Sequence, residues 1–393
     1  MKSRDFLSTA PIHVRDISKV VFRSNPDYEL ILFDHIPRKE QESLSELVKD
    51  PNFYGILHSQ TDGLGMKSVC LDTALLFFTL QSPGMIPNYI RRMLGSRYSE
   101  LAARLVMDRI LEIQTNKGFL SGSEAYRFIY ENQLEISPSE HIGWLSIEAV
   151  KYGQFLDLDD CLKLSTRLYL YNRVPASSEW RRLFPSEEAV AKYLGVYPDG
   201  ENRAILDNHW VNAQLPSNNR WIAWSTKNEL PTRRPYKLYV SPHCKFISEA
   251  FCTTVKVLTE VRATSFKVGK DMYGLLRPDK LVAYFATYDE MMEASARLLK
   301  CLQGIPAHGV PFTAALDPSG LLSWGMDPPD REYILPWQGP SWRKWVTDRL
   351  AVAIISAKKS LSTDTDPWQF ALERLRLEGV DTTSWIPMPT IWN

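Results

Sequence analysis

From Tyr236 onward the hydrophobic period of the chain changes, and that change limits the possible folds more than any other feature. "YKLYVS" (236–241) alternates apolar and polar residues, as a half-buried strand does. "KFISEAFCTTVKVLTEV" (245–261) switches to helical spacing. "TSFKVG" (264–269) and "KLVAYFA" (280–286) return to strand character. "YDEMMEASARLLKCLQG" (288–304) is a helix with acids early, Lys300 late and Gly304 beyond, as the helix dipole favours. "GVPFTAAL" and "GLLSWGMD" form a strand pair around "DPSG". Residues 230–330 therefore predict a β-α-β-β-α-β-β unit, an α+β sheet with helices on one face.

The register of these strands places charge. With Leu238 and Val240 turned to the core, Lys237, Tyr239 and Ser241 share the opposite face. By the same logic Phe266 and Val268 are core and Lys267 is not. "RPDKLVAYF" enters its strand through Arg277 and Lys280. No acidic residue lies within "YKLYVS" or "SFKVG". Two readings stay open. The lysines belong to the solvated face of an exposed sheet, where lysine guards against edge pairing, or they converge on an anion. In the second case, crowding among cations and burial lower a lysine pKa, so that one amine can act as a base.

Upstream, helical patterns predominate: 39–50, 67–82, 99–113 and 144–156, with a hairpin at 112–122 turning at Asn116–Gly118. "SEEAVAKYLG" (186–195) is a capped helix. The stretch 197–235 reads as strands and loops, or as a linker crossing the surface. Two more helices follow the sheet unit, at 341–361 and 367–379. The boundaries are a mainly helical region 1–160, an α+β region 161–340 and a helical tail 341–393.

With 393 residues and a formal net charge of zero, the chain has no bulk field for nucleic acid or an anionic membrane, so any anion site is local. Neither a signal peptide nor a membrane-spanning stretch is evident, and a cytoplasmic location follows as the expectation. The five cysteines are scattered without a CxxC pair, which points to reduced thiols and no structural zinc; Cys244 and Cys252, eight apart with His243 adjacent, are a weak metal signal and read better as core thiols. "DGLGMKS" (62–68) lacks phosphate-loop spacing, and "TDTDPWQ" (363–369) reads as a helix cap. "SWGMDPPD" (323–330) is a rigid turn, either plain architecture or a pocket wall.

"YKLYVSP", "SFKVGKDMYGLLRPDKLVAYF" and "GVPFTAAL…GLLSWGMDPP", with "LSTRLYLYNRVPASSEW" upstream, resemble the HopA-type type III effector family. They also resemble the lyase partners of that type in class V lanthipeptide and thioamitide biosynthesis. "YKLYVS" and "SFKVGKDM" are similar, more distantly, to the lysine-bearing strands of bacterial phosphothreonine lyases and of class III and IV lanthipeptide synthetases. The resemblance covers roughly 160–330.

The resemblance implies a helical N-terminal half packed on an α+β lyase-like unit with a twisted, mainly antiparallel sheet, followed by C-terminal helices. It implies elimination of phosphate from phosphoserine or phosphothreonine in a bacterial precursor peptide, giving dehydroalanine or dehydrobutyrine, without metal or organic cofactor. A separate kinase-like protein would phosphorylate the peptide. In the family pattern a Lys-x-His strand supplies base and acid. Lys237 takes the base position, Tyr239 stands where the histidine would, Lys267 matches the lysine that stabilises the enolate-like intermediate, and Arg277 and Lys280 match phosphate ligands. Neighbouring lysines are expected to lower the Tyr239 pKa and fit it to donate a proton. The alternative is a non-catalytic effector-like module whose basic face holds a phosphopeptide or a partner, the missing histidine marking lost acid function.

Overall fold

The computed structural model describes residues 14–388 apart from 18, 60, 62–64, 96–97, 131–137, 139, 214–219, 229–233, 262, 329–340 and 361–364. The parts of "DGLGMKS", "SWGMDPPD", "TDTDPWQ" and the 197–235 stretch that fall there lie outside the described residues. The fold is α+β. Its centre is a seven-stranded antiparallel sheet. From edge to edge the strands are Ala314–Ala315, Leu322–Met326, Tyr236–Val240, Leu281–Phe285, Ser265–Gly269, Trp221–Thr226 and Trp210–Asn212.

The alternating pattern after Tyr236 produces five of these strands and the two helices between them, Ile247–Glu260 and Tyr288–Cys301. Both helices pack on one face. Leu238, Val240, Phe266, Val268, Leu281, Ala283 and Phe285 of the sheet share a core with Phe251, Val255 and Leu258 of the first helix and Met291, Ala294 and Leu298 of the second. The second helix starts on a capping box between Thr287 and Glu290, which satisfies two otherwise orphaned amides. The stretch 197–235 adds the helix Arg203–His209 and the last two strands at one end of the sheet. Trp224 of the longer one stacks on Phe266 with ring centroids 5.1 Å apart.

A second core joins the two ends of the chain. The helices Trp342–Lys358 and Pro367–Leu377 bury their apolar residues among those of Tyr98–Met107, His141–Phe155 and Cys161–Tyr169. Before residue 130 the chain is mixed rather than mainly helical. Two three-stranded antiparallel sheets form there, Phe22–Ser24 with Leu111–Thr115 and Gly118–Leu120, and Tyr28–Ile31 with Phe53–Ser59 and Lys67–Cys70. The helix expected over 99–113 stops at Met107, because Arg109 turns into the left-handed region at φ 61° and residues 111–115 pair as a strand. The 67–82 pattern likewise divides into the strand Lys67–Cys70 and the helix Leu71–Thr79. The hairpin at 112–122 forms as read, with Gly118 at φ 110°.

The second core covers part of the sheet face opposite the two helices. Trp342 lies over the Leu322–Met326 strand at Gly325, where a β-carbon would come within 2.6 Å of the indole. Its Nε1 donates to the Phe312 carbonyl at 2.8 Å. This half-cover creates the site, since one part of the polar face is sealed and the other stays open.

Candidate active site

Lys237 and Lys267 project from the same sheet face, as alternation required. Lys237 stands opposite Tyr284 and Lys267 opposite Val282, both on the strand between them. Their ammonium groups flank one ring: Lys237 Nζ is 5.6 Å and Lys267 Nζ 5.5 Å from the Tyr284 centroid. Lys267 also lies 4.4 Å from the Trp221 centroid. A cleft of about 450 Å³ opens here, lined by Trp221, Ser225, Arg234, Ser265, Lys267, Tyr284 and Asp327.

The two lysines differ in their partners. Lys237 is buried and donates to Asp327 Oδ1 at 2.5 Å, and the same oxygen accepts from the Trp342 amide at 3.2 Å. Lys267 has no carboxylate at ion-pair distance among the described residues. Burial, and then the nearby Lys237 charge, push its pKa down to about 8. Burial raises the Asp327 carboxyl above its ordinary value despite the pull of Lys237. Arg234 holds Ser265 Oγ at 3.0 Å and so presents a guanidinium at the cleft.

The other three residues singled out in the sequence are placed differently. Arg277 approaches the Trp221 ring at 4.9 Å, so it borders the lysines. Two of its three nitrogens are engaged, however: Nε and Nη2 meet the two Asp279 oxygens at 2.8 and 2.9 Å, and Tyr169 Oη lies 3.2 Å from Nη2. Arg343, from the helix Trp342–Lys358, lies 2.9 Å from Asp279 as well. Burial alone would raise the Asp279 carboxyl, but Arg343 and Arg277 hold it well below the usual carboxylate range. The result is a closed buried knot tying the sheet to the second core.

Lys280 is not brought to the cleft. It is fully buried, bonded to the Pro242 carbonyl at 2.9 Å and to His308 Nδ1 at 2.7 Å. Burial lowers its pKa to about 8, and burial with the Lys280 charge lowers His308 to about 3.

Tyr239 sits beside Val282 and Val310 at 3% exposure. Burial raises its pKa well above 10, opposite to the fall expected from neighbouring lysines. The low-dielectric surroundings formed with Val282 and Val310 outweigh the pull of the Arg343 charge.

Arg234, Asp279 and the pairing role of Asp327 were not legible as site features. Arg234 sits two residues before the Lys237 strand, and Asp279 is two residues from Arg277. Asp327 is 90 residues from the lysine it pairs with. Among the described residues no cluster of three or more His, Cys, Asp or Glu side chains could hold a metal, and no helix is long and apolar enough to cross a membrane. The five cysteines are free thiols.

No family model and no curated protein matches the sequence. Solved structures do. An effector protein from Pseudomonas syringae pv. syringae strain 61 aligns over 65% of this chain and 99% of its own, at 13% identity and a TM-score of 0.40. An effector protein from Pseudomonas syringae pv. tomato strain DC3000 aligns over 64% and 99%, at 14% identity and 0.39. The type III effector and phosphothreonine lyase OspF from Shigella flexneri aligns over 43% and 97%, at 13% identity and 0.26. The chain is distantly similar in structure to these proteins.

Proposed function

We propose that the chain is a carbon–oxygen lyase that eliminates phosphate from phosphoserine or phosphothreonine in a peptide. The observation that carries the reading is Lys267, an amine with a pKa near 8 at an open cleft, without a carboxylate partner among the described residues and beside a second lysine and an arginine. The family resemblance of "YKLYVS" and "SFKVGKDM" supports it from the sequence side.

The geometry favours exchanging the roles that the sequence suggested for the two lysines. A base has to be neutral, and Lys267 is the amine whose surroundings disfavour charge. Lys237, ion-paired with Asp327, is suited to meet negative charge growing on the substrate carbonyl oxygen. In the reaction Lys267 Nζ takes the α-proton and the C–H electrons form the Cα=Cβ bond. The Cβ–O bond breaks, and phosphate leaves with that electron pair. Arg234 offers charge-assisted hydrogen bonds to the departing oxygens. A phosphate monoester has a second pKa of about 6, so the monoanionic ester can carry its own leaving-group proton. That provides for the missing histidine without calling on the buried Tyr239.

The substrate on this reading is a precursor peptide phosphorylated by a separate kinase in the bacterial cytoplasm, and the products are dehydroalanine or dehydrobutyrine residues of a ribosomal peptide natural product. A second reading, a phosphopeptide-binding module without catalysis, draws on one observation: no titratable acid occupies the Tyr239 position. Incubation with phosphoserine and phosphothreonine peptides separates the two. The lyase yields a peptide lighter by one phosphoric acid and bearing an alkene that adds thiols. The binding module retains the intact phosphopeptide.

A further inference from the structure

A second cavity, of about 630 Å³, lies in the other core, between the strand Lys67–Cys70 and the helices Tyr98–Met107, Trp342–Lys358 and Pro367–Leu377. Its wall combines core residues such as Met107, Ala353 and Phe370 with charged side chains. Three of its carboxylates are paired with cations, although Asp348 Oδ2 is buried without a hydrogen-bond partner. Asp108 takes two hydrogen bonds from Arg374 at 2.6 and 2.7 Å. Glu378 pairs with Arg374 at 2.6 Å and with Arg349. Asp348 accepts from Ser165 at 2.6 Å and pairs with Lys344. The fourth, Asp159, is exposed at the rim, where water screens it.

The cations are in excess of these acids. Lys67 lines the cavity with no carboxylate at ion-pair distance among the described residues. Burial lowers its pKa, against the attraction of Asp108. Arg109 lines the same cavity. Its Nη2 meets the Ser356 carbonyl at only 3.4 Å, while its Nε is buried against Gly122 and takes no part in the cavity wall. Arg109 holds a left-handed backbone at φ 61°, a conformation that disfavours any residue with a β-carbon and that tends to persist where a site depends on it. Two incompletely matched cations over an apolar wall are chemically incomplete, and an anion would complete them.

We propose that this cavity is a binding site for a small oxyanion with an apolar body, a carboxylate or phosphate on a short hydrocarbon. Lys67 and Arg109 hold the anionic head, and Met107, Ala353 and Phe370 cover the body. The site belongs to a different core from the Lys267 cleft, so it stands whether or not that cleft eliminates phosphate.

The test is calorimetric titration of the full chain with hexyl phosphate and, separately, with inorganic phosphate and hexanoate. The Lys267→Met protein weakens the cleft as a competing anion site. In that background hexyl phosphate binds one equivalent, and inorganic phosphate binds more weakly for lack of the body. Adding Lys67→Met weakens hexyl phosphate by about tenfold or more, the usual worth of a charged hydrogen bond. Hexanoate decides which head group is taken, and either one satisfies the proposal. The ligand-free Lys67→Met protein melts no lower than its parent, because burial disfavours the ammonium more than the attraction of Asp108 favours it. Arg109→Gly, which suits the left-handed backbone, also weakens binding while remaining folded. The proposal is overturned if hexyl phosphate binding is lost with Lys267→Met or is indifferent to both Lys67→Met and Arg109→Gly. Inorganic phosphate binding as tightly as hexyl phosphate removes the apolar body from the assignment. A fall in melting temperature for ligand-free Lys67→Met makes Lys67 a structural ion-pair partner and overturns the site.

Discussion

Two groups of cations border the Trp221 ring, one on the sheet face and one beside it, and they have opposite fates. Around Asp279, Arg277 and Arg343 close on a buried carboxylate and on Tyr169, with Nε and Nη2 of Arg277 both bonded. Across Trp221, Lys267 faces an open cleft without such a partner among the described residues. The first group is architecture, fastening the sheet to the second core. The second group has charge to offer a ligand. A count of basic residues would treat them alike. What separates them is whether a carboxylate arrives from elsewhere in the fold.

That contrast sets the order of the expected effects. Lys267→Met should lower single-turnover elimination from a phosphothreonine peptide by about 10²- to 10⁴-fold, the range for losing a positioned base, with an unchanged circular dichroism spectrum. Asp279→Asn should do the reverse. Removing one member of a buried ion-pair network costs about 3–5 kcal/mol, so chemical denaturation should show a large loss of stability. If Asp279→Asn instead left stability intact and abolished elimination, the knot would belong to the site and the contrast would fail. Arg234→Met should raise KM for the phosphopeptide by about ten- to a hundredfold, from loss of a charge-assisted hydrogen bond worth about 1.5–3 kcal/mol, and leave the melting temperature near that of the parent. Tyr239→Phe should change elimination least, by less than about tenfold, because its phenol is buried and held protonated. A drop within the general-acid range would restore Tyr239 to the mechanism.

Much of the sheet and the shared face of Lys237 and Lys267 were legible, because a period of two fixes which side a residue faces once the apolar side is known. The β-α-β-β-α-β-β order from Tyr236 appears as read. The N-terminal region was less legible, since "KSVCLDTALLFF" and "RLVMDRILEI" are apolar enough for a buried helix yet divide into helix and strand at positions that tertiary pairing decides. The site was half legible. Lys280 has the right register but lies at the strand end, where its chain reaches Pro242 and His308 instead of the cleft. The fall expected for Tyr239 rested on cations nearby, and its burial with Val282 and with Val310, 71 residues away in sequence and so invisible in a local stretch, reversed it. Compensation of charge is likewise non-local, as Asp327 and Lys237 show.

The central claim is that Lys267 is the amine left free to lose its proton. The most direct test is an NMR titration of protein labelled at lysine side-chain carbons, with resonances assigned through Lys267→Met and Lys280→Met. The account expects the Lys267 resonance to titrate with a midpoint near 8, well below the ordinary lysine value of 10.5. A non-eliminable phosphonate analogue of the substrate should move that midpoint upward, because a bound anion favours the ammonium form. At pH values rising through 8 the neutral fraction grows, but the monoanionic ester, with its pKa of about 6, is depleted over the same interval, so single-turnover elimination should be highest between about pH 6 and 8 and fall on either side. A Lys267 midpoint near 10.5, unmoved by the phosphonate, would contradict the account.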